Sequence, residues 1–251
     1  MEKYVLITGA TSGFGRACAE IFARSGWNLI ITGRRLERLN LLSGELSAFG
    51  IQVLSLNFDV QDAHAVEKAI QNIPTEIQNN IEILINNAGL AAGRDAFQDG
   101  NFSDWERMID TNIKGLLYVS KPIIKMMIAN GKGHIINISS IAGKEVYPAG
   151  NVYCASKHAV DSISKSMRMD LVKFGIKVTN IAPGAAETEF SLVRFKGDEN
   201  LAKQVYEGYQ PLSANDIAEI VYYTANLPKH VCINDLVVTP TAQASSTIFN
   251  K

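Results

Sequence analysis

The sequence predicts an α/β fold, a doubly wound parallel sheet of about seven strands with helices on both faces. Three observations predict it. Short apolar runs rich in β-branched residues alternate along the chain with longer stretches of helical periodicity. No repeat, low-complexity tract or linker interrupts the alternation. The 251 residues, 47% of them hydrophobic, are enough to bury one sizeable core. Such alternation calls for right-handed crossovers and a sheet covered on both faces.

The strand candidates, in order, are residues 4–8 (YVLIT), 28–33 (NLIITG), 52–58 (QVLSLNF), 81–86 (IEILIN), 134–139 (HIINIS), 177–182 (KVTNIA) and 235–240 (DLVVTP). Helical patterns occupy about 13–26, 35–48, 62–73, 102–130, 152–174 and 214–226. Pro122 falls inside the fourth helix and predicts a kink or break, because its ring has no N–H to donate and crowds the preceding turn. Residues of about 185–212 are polar and irregular and follow a strand. Ligands of open α/β sheets bind outside the carboxyl ends of the strands, so this insert is placed to be a substrate lid on a single domain spanning 1–251.

Composition narrows the function classes. Lys plus Arg is 24 and Asp plus Glu is 25, so no basic field draws the chain to nucleic acid or to an anionic membrane, and a small-molecule partner is the default. Cys18, Cys154 and Cys232 are odd in number and widely spaced, and the four histidines show no metal-ligand spacing. We expect no metal site and reduced thiols. The opening MEKYVLITG has neither the apolar stretch of a signal peptide nor the length of a membrane span, which points to a soluble, cytoplasmic protein.

Directly after the first strand, TGATSGFG (8–15) runs into an amphipathic helix. Gly9, Gly13 and Gly15 allow a tight turn and let the helix N-terminus offer unpaired N–H groups to a pyrophosphate, with Thr11, Ser12 and Phe14 between them. The second strand ends in TGRR, where an NAD-binding chain would carry an acidic residue. Arg34 and Arg35 suit a 2′-phosphate instead, so NADP is expected. Asp59 and Val60 end the third strand, and Asp59 could accept from the adenine amino group. In NNAG (86–89), Asn86 and Asn87 could tie loops together or contact the cofactor, alongside Ala88 and Gly89.

The stretch SSIAGKEVYPAGNVYCASK (139–157) brings Tyr153 and Lys157 four residues apart, hence onto one face of a helix. A neighbouring ammonium favours the phenolate, which makes Tyr153 a candidate general acid/base.

Together TGATSGFG, NNAG, Asn112 in DTNIKG, the serine pair of NISS, YCASK and the PG of IAPG resemble the short-chain dehydrogenase/reductase family, in its order and spacing over nearly the whole chain. The resemblance implies a Rossmann-type fold, NADP as hydride carrier and four catalytic positions: Asn112, Ser140, Tyr153 and Lys157. Ser140 is chosen over Ser139 because the family's serine lies thirteen residues before the tyrosine. By the same resemblance Ser140 holds the substrate oxygen and Tyr153 moves its proton. Lys157 binds the nicotinamide ribose and lowers the tyrosine's pKa, and Asn112 holds a water linking Lys157 to solvent. Pro183, Gly184 and Thr188 would meet the nicotinamide, although the family often has its threonine nearer the PG pair. The resemblance also implies a homotetramer formed through the helices at 102–130 and 152–174.

TGRRLERL, TEFSLVRFKGD and VVTPTAQ narrow the resemblance to NADP-dependent 3-hydroxy acid dehydrogenases acting on serine, allo-threonine and related acids, such as 3-hydroxypropionate with malonic semialdehyde as its oxidised partner. An acid brings a carboxylate that needs a cation. Arg194 is the candidate clamp, Lys196 and Arg94 are weaker ones, and Tyr147 and Asn151 could line the pocket. Two alternatives stand beside this reading: a related reductase of 3-oxoacyl thioesters or general ketones, and a non-catalytic NADP-binding regulatory protein.

Overall fold

Successive residues of a strand face opposite sides of a sheet, so a sheet covered twice needs apolar side chains at odd and even positions alike. The first strand meets that condition: Val5 and Ile7 enter one core, Tyr4 and Leu6 the other, and all four are fully buried. The computed structural model describes residues 2–251. Its strands are β1 (Tyr4–Ile7), β2 (Asn28–Gly33), β3 (Val53–Asn57), β4 (Ile81–Asn86), β5 (His134–Ile138), β6 (Lys177–Pro183) and β7 (Asp235–Val238). They form one sheet in the order β3-β2-β1-β4-β5-β6-β7, with every neighbouring pair parallel. The expected α/β architecture is therefore the observed one.

One face is covered by α1 (Gly13–Arg24), α2 (Leu36–Ser47) and α10 (Ala214–Ala225), which bury Phe22, Leu42 and Val221 against it. The other carries α3 (Ala63–Gln71), α6 (Leu116–Asn130) and the end of α7 (Asn151–Leu171), with Ile70, Ile123 and Leu171 buried there. The strand order reverses between β1 and β4, the place where an open α/β sheet leaves a crevice at its carboxyl edge.

The structure departs from the sequence reading in the helices. A short α4 (Thr75–Gln78) precedes β4, and α5 (Phe102–Ile109) joins α6 through a six-residue π-helical segment, Asp110–Gly115. Pro122 does not end α6, which runs on to Asn130; the irregular segment lies a turn or more upstream. Burial of Leu116, Val119, Ile123 and Met127 holds the helix together against the ~3 kcal/mol a mid-helix proline costs. Within residues 185–212 the chain is not wholly irregular. It forms α8 (Glu189–Arg194), capped by Thr188, and α9 (Glu199–Gln204), capped by Asp198. Six residues are too few to reveal a helical period, which is why neither was expected. Among the described residues no helix is long and apolar enough to cross a membrane, and no group of His, Cys, Asp or Glu could hold a metal ion.

Candidate active site

The carboxyl ends of β1, β4, β5 and β6 open into a cavity of about 1100 Å³. Most residues that sequence reasoning placed against cofactor or substrate line it; Gly15, Asn86, Asn112, Asn151 and Lys196 do not. Gly9 and Gly13 both have positive φ, +64° and +51°, in the turn that swings the chain from β1 into α1. Gly15 serves packing, since a Cβ there would stand 2.3 Å from the Gly9 carbonyl oxygen. The N-cap of α1, Ser12, makes no side-chain capping bond, so the first-turn N–H groups stay available at the cavity. Asn87 Nδ2 donates to the carbonyls of Thr8 and Gly9, while Asn86 donates to Ser120 Oγ and Asn137 Oδ1 deep in the fold. Asn86 is thus structural, and Asn87 ties the glycine loop while facing the cavity.

At the adenosine end, Arg35 donates to Thr11 Oγ1 (3.1 Å), Ser12 Oγ (2.9 Å) and Glu189 Oε2 (2.9 Å). Arg34 pairs with Asp59 at 3.2 Å, so the carboxylate expected to face adenine is here engaged by a guanidinium. A dinucleotide with a 2′-phosphate fits these residues: open N–H groups for its pyrophosphate and two guanidinia for its third phosphate.

At the other end, α7 buries Tyr153 and Lys157 on one face. Lys157 Nζ donates to the Ile138 carbonyl at 3.0 Å and stands 6.0 Å from the centre of the Tyr153 ring. Burial lowers the lysine's pKa to about 8. Burial also raises that of Tyr153, reinforced by Tyr147, and outweighs the lowering by Ser140 and Arg194. The groups that lower the phenol here are Ser140 and Arg194 rather than the expected Lys157. Ser140 Oγ accepts from Ala142 N at 3.1 Å, whereas Ser139 Oγ donates to the Lys157 carbonyl and is tied to the helix. Asn112 lies in the π-helical segment, where its Oδ1 accepts from Leu90 N and its Nδ2 donates to Leu90 O, both at 2.8 Å. A Cβ on Gly89 would meet Asn112 Oδ1 at 3.3 Å and Lys157 Nζ at 3.4 Å, so the missing side chain leaves open the space between them.

Residues 3–198 match the family profile described as short chain dehydrogenase. The chain belongs to the short-chain dehydrogenase family. It is 48% identical over 247 residues to sulfoacetaldehyde reductase 2 of Chromohalobacter salexigens, covering 98% of this chain and 97% of that one. It is 44% identical over 241 residues to the NADP-dependent 3-hydroxy acid dehydrogenase of Salmonella typhi, covering 96% of each. Its structure resembles the closed form of a serine dehydrogenase complexed with NADP+, with TM-score 0.92, 42% identity and 99% of both chains covered. The resemblance read from the motifs thus holds across the whole chain.

Beside Tyr153 the cavity wall is built by α8 and the loop after β4. Arg194 Nη1 donates to the Tyr147 hydroxyl at 3.1 Å, and the guanidinium carbon lies 5.6 Å from the centre of the Tyr153 ring. Its Nη2 is buried with no hydrogen-bond partner. Lys196 is drawn away, its Nζ 2.7 Å from Asp104 Oδ2 in an ion pair without hydrogen-bond alignment. Asn151 donates to the Asp95 carbonyl rather than facing the cavity. Sequence reasoning missed three residues here. Glu189 bridges Arg35 and Arg38, Tyr206 donates to the Ala186 carbonyl, and buried Gln243 accepts from Ala185 N at 2.8 Å. None of the three left a local signal; Arg38, the partner of Glu189 and missed as well, left one in lying three residues after Arg35 in TGRRLERL.

Proposed function

We propose that this chain, an NADP-dependent oxidoreductase, moves a hydride between the nicotinamide and C3 of a small 3-hydroxy acid whose anionic group is held by Arg194. One observation carries the substrate class: the buried, unpartnered Nη2 of Arg194, beside Tyr147 and Tyr153. A desolvated guanidinium N–H left unpaired is costly, and a carboxylate accepts from the guanidinium fork in bidentate fashion. The relatives' names, 3-hydroxy acid dehydrogenase and serine dehydrogenase, support the same class. A sulfonate is the second anion to consider, because the 48% identical relative is a sulfoacetaldehyde reductase.

Bound NADP supplies or accepts the hydride. Ser140 would hold the substrate oxygen through Oγ, and Tyr153 would give that oxygen a proton in reduction or remove it in oxidation. Burial favours the protonated Tyr153 phenol, which readies it as a donor. Lys157 would contact the nicotinamide ribose, and a water in the space beside Gly89 would connect it with Asn112. Pro183, Gly184 and Thr188 would orient the nicotinamide, and residues 185–212 would act as the lid. We place the protein in the cytoplasm, where its three free cysteines stay reduced. We also assign a homotetramer, supported by exposed apolar side chains on the long helices, Phe102, Leu117, Met169 and Val172.

The test is nicotinamide absorbance with NADP or NAD against L-serine, L-allo-threonine, D-threonine, 3-hydroxyisobutyrate, 3-hydroxypropionate and 2-hydroxyethanesulfonate. We expect NADP-dependent turnover of one or more of these acids, reduced by on the order of a thousandfold in Tyr153→Phe. Turnover of 3-oxoacyl thioesters or plain ketones alone would discard the anion clamp, and tight NADPH binding without turnover would favour the regulatory alternative.

A further inference from the structure

Two ends of the cavity are joined by one short helix. At its first residue, Glu189 Oε1 accepts from Arg38 Nη1 at 2.5 Å and Oε2 accepts from Arg35 Nη1 at 2.9 Å, so each carboxylate oxygen takes one guanidinium. At its last residue, the Arg194 carbonyl accepts from Gly93 N at 3.0 Å, and two residues on Lys196 pairs with Asp104. Between these ties, the Phe190 ring lies 5.5 Å from that of Tyr153. A helix of six residues cannot hold its own place, so α8 sits where its end contacts put it.

We propose that Glu189 is a positioning residue, a strap tying α8 to the arginines of the adenosine end, so that Arg194's hold on the substrate depends on the charge those arginines face. The inference rests on Arg35 as the partner of the 2′-phosphate. That guanidinium is shared: it already donates to Thr11 and Ser12 of the glycine loop as well as to Glu189. A phosphate monoester carries about −1.5 to −2 charge at neutral pH, so it competes with the carboxylate for Arg35 and repels it. Arg38 lies outside the cavity and is left to keep Glu189, and α8 with it, in place. Because Arg35 is the N-cap of α2 and Arg38 lies in its first turn, the start of that helix would read phosphate while its first turn anchors α8. Ordinary exposed ion pairs contribute little; this one matters because it is the tie between α8 and α2.

The experiment uses the full chain with Glu189→Gln and Arg38→Gln, which approach the strap from opposite sides. Three quantities are read: amide hydrogen exchange over residues 189–197, NADPH and NADH affinity by fluorescence titration, and hydroxy-acid KM and kcat. Both variants should exchange faster in α8 and raise substrate KM about fivefold with a smaller change in kcat. Glu189→Gln should also bind NADPH about threefold tighter and NADH unchanged, because only the 2′-phosphate meets the lost carboxylate. Unchanged exchange in both variants would overturn the strap, and so would equal shifts for NADPH and NADH. Arg35→Gln tests the underlying reading separately. Loss of NADPH preference supports it, and retention of that preference would overturn the coupling to cofactor whatever the exchange data show.

Discussion

The glycine loop and the helix facing it across the cavity are built in opposite ways. The loop is fixed by partly buried neutral hydrogen bonds: Thr8 Oγ1 accepts from Asn87 N and Ala88 N at 3.0 and 2.9 Å, and Asn87 Nδ2 returns two bonds to the loop. These groups lie at strand ends, and salt does not reach them. The facing helix α8 is held by charges whose side chains are 38–59% exposed at Arg35, Arg38, Glu189 and Lys196. Such contacts are screened by salt and rearrange at little cost. The difference separates two tasks. In the proposed function, the pyrophosphate-binding loop lies on the side held by neutral bonds, while Arg194, the proposed anion clamp, lies on the side held by exposed charges.

The largest effect should come from breaking the fixed side. In Gly15→Ala, the new Cβ would stand 2.3 Å from a backbone oxygen and 2.4 Å from Asn87 Nδ2, with no flexible end to give way. We expect a loss of ~3 kcal/mol in urea unfolding and no measurable NADPH binding by titration. A variant that binds NADPH like the parent would show the loop to be as pliable as the wall. A change on the movable side should instead leave the fold alone. Arg194→Leu is expected to raise KM for the hydroxy acid on the order of 30-fold, with NADPH affinity unaltered. Equal losses for acid and cofactor would merge the two regions into one.

The smallest effect distinguishes them by titration. Burial sets the Lys157 pKa at about 8, whereas an unfolded lysine titrates near 10.4. Between these values the unfolded chain binds more protons, so this residue makes stability rise with pH, by up to ~1.4 kcal/mol per unit. Cys18, raised to about 12 by burial, works the other way as the unfolded thiol ionises, so the lysine's share is the difference from Lys157→Met. Urea unfolding of both proteins at pH 8, 9 and 10 should show that difference growing with pH. A difference that stays flat would mean that Lys157 is solvated despite its position.

Much of this was legible in the sequence because the informative residues are contiguous. TGATSGFG, NNAG and YCASK each lie where a strand end or helix face fixes their placement within a few residues, and all seven strands read as buried runs. What escaped was what pairs over distance. Glu189 meets arginines more than 150 residues earlier, and nothing in TEFS distinguishes a bridging carboxylate from a solvated one. Gln243 acquires its role only when the end of the chain folds back over Gly184, where a Cβ would stand 2.2 Å from its Oε1. Lys196 read as a second candidate cation because sequence does not show the buried Asp104 that claims it. Charges cluster in loops for many reasons, and geometry alone sorts them.

The π-helical segment Asp110–Gly115 carries a further consequence. Such a segment amounts to one residue inserted into an α-helix. The wide turn takes up that extra residue, whereas deleting a single codon within either regular flank, α5 or α6, would rotate the residues beyond it by about 100°. Asp104 and Met108 are buried on the first flank, and Val119, Ile123 and Met127 on the second, so no rotation keeps both sets inside. The π-helical segment is therefore where this helix should tolerate the loss of one residue best, and the flanks where it should tolerate it least.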